Sequence, residues 1–212
     1  MRVLFLRPEG SFVPKISDFI HIEIVKPVCI PYSADFNNVD AIGFTSVNAV
    51  ECFKDFDRIK GKKIFSVGPI TAEALKKKGF EKVNMPEEYT VNNLIKIIKE
   101  NARNPILVRS LMAIDNSLGI NQIADYKLEV NQDKLNEAKR IIENCEADII
   151  VLTSSFIASL VKDSIKDCAK IISIGPSTTK MLKDKKIIIY EAKEHDMKGI
   201  LNLLKKLGAY NE

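Results

Sequence analysis

Short apolar runs alternate with segments of helical periodicity along this chain. Seven such runs occur: VLFLR (from Val3), AIGFTS (from Ala41), KIFSVG (from Lys63), PILVRS (from Pro105), DIIVLTS (from Asp148), KIISIG (from Lys170) and KIIIYEA (from Lys186). Apolar runs of this length are typical of strands buried on both faces, as in the parallel sheets of βαβ units. The pattern therefore predicts an α/β fold.

The segments between the runs are predicted to form the crossover helices. Val91 to Glu100 and Gly199 to Leu207 each place leucine and isoleucine side chains on one face of a helix. Helices of this kind cover both faces of an open parallel sheet. We therefore expect doubly wound, flavodoxin-like parallel sheets.

The chain contains an internal repeat. DAIGFTS, which begins at Asp40, recurs as DIIVLTS at Asp148, 108 residues later, and a Gly-Pro-x-Thr sequence at Gly68 recurs at Gly175, 107 residues later. A period of this length exceeds the roughly 20 to 50 residues of solenoid repeats and indicates a duplicated domain. Two similar domains are expected to enclose a cleft.

Each half opens with a strand that ends in arginine, at Arg7 and at Arg109, and an extended segment follows. These segments are IEIVKPVCIPY, from Ile22, and YKLEVNQ, from Tyr126. The two prolines of the first segment exclude a helix and disfavour a central strand. We interpret both segments as linkers between the domains.

Composition and charge limit the classes of partner. Apolar residues make up 46% of the 212-residue chain and charged residues 28%, as in ordinary globular proteins. A net charge of +4 without an aromatic platform or a recognised motif gives no support for nucleic-acid binding. The N-terminal apolar run is interrupted at Arg7, too early for a signal peptide or a membrane span. We expect a cytoplasmic monomer with no membrane partner.

Metal and redox chemistry have little support in the sequence. The four cysteines are widely spaced and include no CxxC pair, so we expect small, reduced, buried side chains. His21 and His195 lie far apart, so we expect no metal site, and His195 is interpreted as solvated rather than catalytic.

Candidate ligand-binding residues stand where strands end and helices begin. Ligands of open parallel sheets bind beyond the carboxyl ends of the strands, where helix N-termini present free N–H groups. The candidates for substrate binding are Arg7, Thr45, Ser46, Asn48, Gly68, Thr71, Arg109, Ser154, Ser155, Gly175, Pro176 and Thr178. Two structural alternatives remain open, since Ser or Thr before a helix is normally a cap and a strand-end arginine can form a structural ion pair.

These phrases together resemble the uroporphyrinogen-III synthase family. The matching segments are AIGFTSVNAV, IFSVGPITAEALKKKGF with MPEEYTVNNLI after it, and DIIVLTS with ISIGPSTTKML and GILNLL after it. The resemblance implies two α/β domains joined by a two-stranded linker. One domain would comprise residues 1–30 and 131–212, and the other, inserted, residues 31–130.

The resemblance also implies a reaction. Family members are cofactor-independent lyases of tetrapyrrole biosynthesis that cyclise hydroxymethylbilane, invert its ring D and expel its hydroxyl as water. The pathway leads to heme, siroheme, cobalamin or F430-type products. Because spontaneous closure gives the uninverted isomer, the task of the enzyme would be proximity and orientation.

Residue roles are implied by motif. Thr71 matches the threonine most often implicated in the family and is the candidate catalytic residue, as a donor to the departing hydroxyl or to a propionate. The family often has a tyrosine where this chain has Asn131, and Tyr126, five residues earlier, would face the opposite side of an extended segment. A tyrosine general acid is therefore not expected.

Two other functions are consistent with parts of the sequence. A non-catalytic two-domain binder of a tetrapyrrole or another small polyanion would use the same cleft and would need no linker tyrosine. A nucleotide-dependent enzyme would need a phosphate loop, and the chain contains neither GxGxxG nor GxxxxGK[ST].

Overall fold

The computed structural model describes residues 1–10, 18–183 and 186–209, which form ten β-strands and seven α-helices. The strands are β1 (Val3–Pro8), β2 (Phe19–Cys29), β3 (Ala41–Phe44), β4 (Lys63–Ser66), β5 (Val83–Asn84), β6 (Pro105–Ser110), β7 (Asn121–Val130), β8 (Ile149–Leu152), β9 (Lys170–Ser173) and β10 (Ile189–Glu191). The helices are α1 (Val47–Cys52), α2 (Pro69–Lys77), α3 (Val91–Asn101), α4 (Gln132–Glu143), α5 (Ser155–Val161), α6 (Pro176–Lys180) and α7 (Met197–Lys206). All seven predicted strands are present, and the predicted helices correspond to α3 and α7. The α/β fold class is confirmed.

Internal contacts divide the chain into two compact units. The discontinuous unit comprises Met1–Lys26 and Glu129–Glu212, and the continuous unit comprises Pro27–Leu128. The chain passes between them within β2 and within β7. The proline-containing segment predicted to be a linker begins within β2. The described pairing of β2 with β1 covers only residues 19–25, so Pro27 lies beyond the paired part of the strand.

The sheet of the discontinuous unit has the strand order β2-β1-β8-β9-β10, with parallel pairing throughout. In chain order this is 2-1-3-4-5, the order of flavodoxin-like sheets. In the continuous unit the order β7-β6-β3-β4-β5 is also parallel. This is the same spatial order, except that the two strands that come first in the chain of the discontinuous unit, β1 and β2, correspond here to β6 and β7, which come last. The halves that the sequence repeats are therefore not the two structural units.

Both sheets are covered by apolar clusters on both faces. In β1, Leu4 and Leu6 belong to one cluster and Val3 and Phe5 to the opposite one, because successive strand residues face opposite sides. In the continuous unit, Ile42 and Leu107 likewise belong to opposite clusters. This two-sided burial explains why the strands read as continuous apolar runs. No helix in the described part of the chain is long and apolar enough to cross a membrane.

All four cysteines are paired, so the expectation of reduced cysteines is wrong. Cys29 is bonded to Cys52 in the continuous unit, and Cys145 is bonded to Cys168 in the discontinuous unit. Each pair is separated by 23 residues in sequence. Packing brings the end of β2 to the end of α1, and the turn after α4 to the segment before β9, a proximity that cysteine spacing alone does not reveal.

Reduction of the disulfides is expected to lower thermal stability. Closing a loop of this length stabilises a protein by about 3 kcal/mol per bond in the chain-entropy model. Thermal unfolding followed by circular dichroism, with and without dithiothreitol, measures the effect. Cys52→Ser and Cys168→Ser assign it to each unit, and melting that is identical with and without reductant would contradict the expectation.

Candidate functional site

The Thr-Ser sequences that follow β3 and β8 fix the local backbone. Ser46 caps α1 by accepting a hydrogen bond from the Ala49 N–H at 3.1 Å, and Ser154 caps α5 by accepting one from the Ile157 N–H at 3.1 Å. The preceding hydroxyls donate to neighbouring strands, Thr45 to the Val108 carbonyl and Thr153 to the Leu6 carbonyl. The capping alternative therefore describes Ser46 and Ser154, whose oxygens accept these hydrogen bonds, and the hydroxyl hydrogens of Thr45 and Thr153 are used within their own units.

Ser46 has a second contact, which the sequence did not reveal. The Tyr126 hydroxyl lies 3.0 Å from the Ser46 Oγ, and 7% of Tyr126 is exposed. Burial raises the pKa of the Tyr126 phenol, and hydrogen bonding to Ser46 opposes that shift. Tyr126 thus reaches a residue at the carboxyl end of β3. Asn131 instead caps α4 by accepting from the Lys134 N–H, so it takes a structural role.

The Gly-Pro-x-Thr sequences begin α2 and α6. Gly68 and Gly175 are the N-cap residues, and a proline follows each in the first turn. Thr71 is 4% exposed and Thr178 fully buried. No described residue forms a hydrogen bond with either hydroxyl, and the Thr178 Oγ1 is inaccessible as well. An unpaired buried hydroxyl costs about 1–3 kcal/mol, so Thr178 differs from the capping serines.

The two strand-end arginines differ from each other. Arg7 forms an ion pair with Glu23 at 2.7 Å, and these residues are register partners on β1 and β2. Arg109 is paired in register with Ala124, and its Nη1 donates to the Gln122 side chain at 3.2 Å. Arg109 is 8% exposed, and burial lowers the pKa of its guanidinium. Its Nε is buried with no hydrogen-bond partner in the described chain.

Asp125 is a second buried charge that sequence reasoning missed. It is the extra residue at a register shift between β6 and β7, where Arg109 pairs with Ala124 and Ser110 with Tyr126. Asp125 is fully buried, and neither carboxylate oxygen has a hydrogen-bond partner among the described residues. Burial raises its pKa to about 7. The same position of the repeat holds Ile24, so an alignment of the two halves at this bulge would have marked the aspartate as unusual.

Parallel strand register places the candidates of each unit along one sheet edge. The continuous unit holds Thr45, Ser46, Asn48, Gly68, Thr71 and Arg109, and the discontinuous unit holds Arg7, Ser154, Ser155, Gly175, Pro176 and Thr178. The edges are made by β3, β4 and β6 in one unit and by β1, β8 and β9 in the other. Across residues 1–10, 18–183 and 186–209, no three His, Cys, Asp or Glu side chains are grouped as metal ligands. The site chemistry on each edge is therefore hydroxyl, backbone amide and guanidinium.

The chain matches the model of a known protein family. The family model described as uroporphyrinogen-III synthase HemD matches residues 22–202. Two curated relatives that bear the name "Putative uroporphyrinogen-III synthase" are similar along their full length. The protein of Methanocaldococcus jannaschii is 25% identical, with 98% of this chain and 99% of that protein covered. The protein of Archaeoglobus fulgidus is 27% identical, with 97% and 98% covered.

A solved structure shares the fold. The crystal structure of uroporphyrinogen-III synthetase from Helicobacter pylori matches with a TM-score of 0.67 at 20% identity, covering 98% of this chain and all of that chain. The resemblance of the sequence motifs and the likeness of the folds thus agree.

Proposed function

Because this chain belongs to the uroporphyrinogen-III synthase HemD family, we propose that it is a cyclising lyase of tetrapyrrole biosynthesis that converts hydroxymethylbilane to uroporphyrinogen III. The family match across residues 22–202 is the observation that carries this proposal. The reaction inverts ring D, closes the macrocycle and expels the hydroxyl as water. The substrate is a linear tetrapyrrole that bears acetate and propionate carboxylates.

The chemistry that this substrate needs is mainly positional. Holding the two chain ends together with ring D turned lowers the barrier to the inverted product relative to spontaneous closure. Hydroxyl and amide donors stabilise charge on the carboxylates and on the departing hydroxyl. The helix starts at Gly68 and Gly175 supply such donors at the strand ends of each unit.

Among the candidate hydroxyls, we assign the main role to Thr71. Ser46 and Ser154 already accept hydrogen bonds as caps, and Thr45 already donates to a strand carbonyl. The Thr71 hydroxyl has no such bond in the described chain and lies in the first turn of α2. A substrate oxygen would satisfy it, which supports a role as donor to the departing hydroxyl or to a propionate.

The roles of the other candidates follow from their contacts. Arg109 lacks an ion-pair partner within the described residues and is proposed to bind a substrate carboxylate. Arg7 is proposed to act chiefly through its ion pair with Glu23. Asn48, Ser155, Pro176 and Thr178 remain proposed substrate contacts by motif. We also propose that the two units are the two domains expected for the family.

Isomer analysis tests the proposed function. Purified protein is incubated with freshly made hydroxymethylbilane, and the isomers are separated after oxidation, with an enzyme-free sample as the control. We expect the inverted type III isomer to dominate. If only the uninverted isomer forms, the protein is not a synthase. Tight binding of the tetrapyrrole without turnover would then indicate a non-catalytic tetrapyrrole-binding protein.

Thr71→Ala is expected to lower kcat for the type III product by about five- to tenfold, since a hydrogen bond made in the transition state contributes about 1–1.5 kcal/mol. Its melting temperature should fall no further than that of Thr71→Ser, because both variants lose the same buried methyl group and the hydroxyl makes no described hydrogen bond in the fold. Thr71→Ser keeps the hydroxyl and serves as the control. Unchanged turnover in Thr71→Ala would remove this residue from the mechanism.

A further inference from the structure

In each unit, a ring lies directly on the glycine of the Gly-Pro turn. A Cβ atom placed on Gly68 would lie 3.2 Å from the Cγ of Tyr89, and one placed on Gly175 would lie 3.1 Å from the Cδ2 of His195. Both glycines are extended, with φ of −174° and 173°, which any residue adopts. The close approach of the ring, and not backbone conformation, is therefore what favours glycine at these two positions.

The same local structure holds both rings in place. Tyr89 immediately precedes Thr90, which caps α3 by accepting from the Asn93 N–H at 3.2 Å. His195 immediately precedes Asp196, which caps α7 by accepting from the Gly199 N–H at 2.9 Å. Each ring is thus positioned by a capped helix start on one side and by a glycine on the other. This arrangement preorganises the rings beside the helix starts of α2 and α6.

Tyr89 and the first turn of α2 are both accessible. Tyr89 is 57% exposed, and Ile70, in the first turn of α2, is 72% exposed. Thr71, the next residue, is nearly buried and its hydroxyl has no described partner. A tyrosine that is fixed by packing and still half-exposed presents an aromatic face, which a flat heterocycle can cover. In the other unit, the exposed His195 offers ring nitrogens instead.

We propose that Tyr89 and His195 are substrate-positioning residues: Tyr89 packs against a pyrrole ring, and His195 donates a hydrogen bond to a substrate carboxylate. This inference rests on the proposed function and adds specificity to its site. The linear tetrapyrrole presents both chemistries, since its rings are flat and aromatic and its side chains are carboxylates. The duplicated position has thus acquired a different chemistry in each unit, while the glycine contact is common to both.

A structural role makes a different prediction. A residue just before an N-cap often packs on the fourth residue of its helix as a hydrophobic staple, which for Tyr89 would be Leu94. Removing a staple lowers stability and leaves KM unchanged. The positioning role predicts the reverse, a raised KM with little change in melting temperature.

Steady-state kinetics separate these roles. We expect Tyr89→Ala to raise KM for hydroxymethylbilane about tenfold, whereas Tyr89→Phe retains the ring and should behave like the wild type. His195→Ala should raise KM similarly, with partial rescue in His195→Gln, which keeps an N–H donor. Ile188→Ala, at an exposed side chain just before β10, is the matched control. A wild-type KM in both Tyr89→Ala and His195→Ala would overturn the proposal.

A fluorescent reporter provides a readout that is independent of turnover. The chain contains no tryptophan, so Tyr89→Trp introduces a single one. The emission of this variant should shift on titration with uroporphyrinogen III that is kept reduced, whereas the emission of Ile188→Trp should not. If the ligand binds by equilibrium dialysis and the emission of Tyr89→Trp stays constant, Tyr89 does not contact it.

A double-mutant cycle tests the contact between ring and glycine. Gly68→Ala should raise KM by displacing the ring, because its Cβ would approach Tyr89 more closely than ordinary contact allows. In the Tyr89→Ala background, Gly68→Ala should have no further effect. Additive effects would show that Gly68 acts independently of the ring and would contradict the proposal.

Failure of this inference can be told from failure of the proposed function. If the wild type makes no type III isomer, the synthase activity is wrong, and the tryptophan titration still reports where a tetrapyrrole binds. If the wild type is active and the Tyr89 and His195 variants are unaffected, only the positioning role is wrong.

Discussion

Replacing Asp125 by asparagine is expected to stabilise the protein, and the gain is expected to grow as the pH rises. The carboxyl group is fully buried without a described hydrogen-bond partner, and its pKa rises from 3.8 to about 7. Between these values the unfolded chain releases the proton that the folded chain retains, so the wild type loses stability as the pH rises from about 4 to 7. Asparagine has the same shape and carries no charge.

The size of the effect follows from the shift in pKa. At about 1.4 kcal/mol per pH unit, the gain should be near zero at pH 4 and reach up to about 4 kcal/mol at pH 8. Urea unfolding of both proteins between pH 4 and pH 8.5 measures it. A gain that does not depend on pH would show that folding leaves the pKa of Asp125 unchanged.

Asp40 provides a control of opposite sign. Its carboxylate accepts hydrogen bonds from the Arg103 and Asn104 N–H groups at 2.7 and 2.9 Å, and the first of these is the main cause that lowers its pKa. Asp40→Asn should therefore destabilise the protein above pH 4, and that loss should shrink as the pH falls through the lowered pKa. The two variants should thus show opposite slopes in the same buffers.

The fold class could be predicted because both sheets are buried on both faces. Val3 to Leu6 alternate between two apolar clusters, so each of these β1 residues is apolar and the strand reads as a continuous run. The repeat was also visible, but the assignment of its strands to two domains came from the family resemblance and not from the repeat itself. β6 and β7 are the counterparts of β1 and β2 in the repeat. However, β6 and β7 belong to the sheet that contains β3, whereas β1 and β2 belong to the sheet that contains β8. Nothing in the local sequence specifies which copy of a strand each sheet contains.

The roles of the candidate residues were harder to predict than the fold, because the same local motif can either build the fold or bind a ligand. The aspartate that opens each repeat illustrates this. Asp40 binds the N–H groups that precede β6, and Asp148 accepts the Arg2 N–H that precedes β1 at 2.8 Å. Both carboxylates fasten the starts of neighbouring strands, as Ser46 and Ser154 fasten helix starts. Residues that the repeat keeps identical are thus often those that build the fold.

Positions that the repeat changes carry more information about function. Glu23 pairs with Arg7, whereas its counterpart Ala124 leaves Arg109 without a carboxylate in register. Tyr89 and His195 occupy the same place on their glycines with different chemistry. Such differences emerge only when the two units are compared contact by contact, because the segment MPEEYTVNNLI does not by itself single out Tyr89 and none of the matched segments contains His195.

Gly199→Ala is expected to destabilise the discontinuous unit, although alanine is the better helix former. Gly199 lies in the first turn of α7, and a Cβ there would approach the Glu194 carbonyl oxygen to 2.0 Å and its carbonyl carbon to 2.9 Å. Backbone atoms cannot move aside as a side chain can, so the loop before α7 must shift. Overpacking of this kind typically costs about 1–3 kcal/mol, which exceeds the gain of about 1 kcal/mol in helix propensity.

The same shift should reach His195, which follows Glu194 and lies on Gly175. Gly199→Ala should therefore lower the melting temperature and, if His195 contacts the substrate, raise KM as well. Asn202→Ala is the matched control, because it introduces the same residue at an exposed position of the same helix and should leave stability unchanged or slightly increased. A melting temperature for Gly199→Ala at or above that of Asn202→Ala would mean that the loop before α7 moves without loss of stability. That loop would then not hold the His195 ring in place.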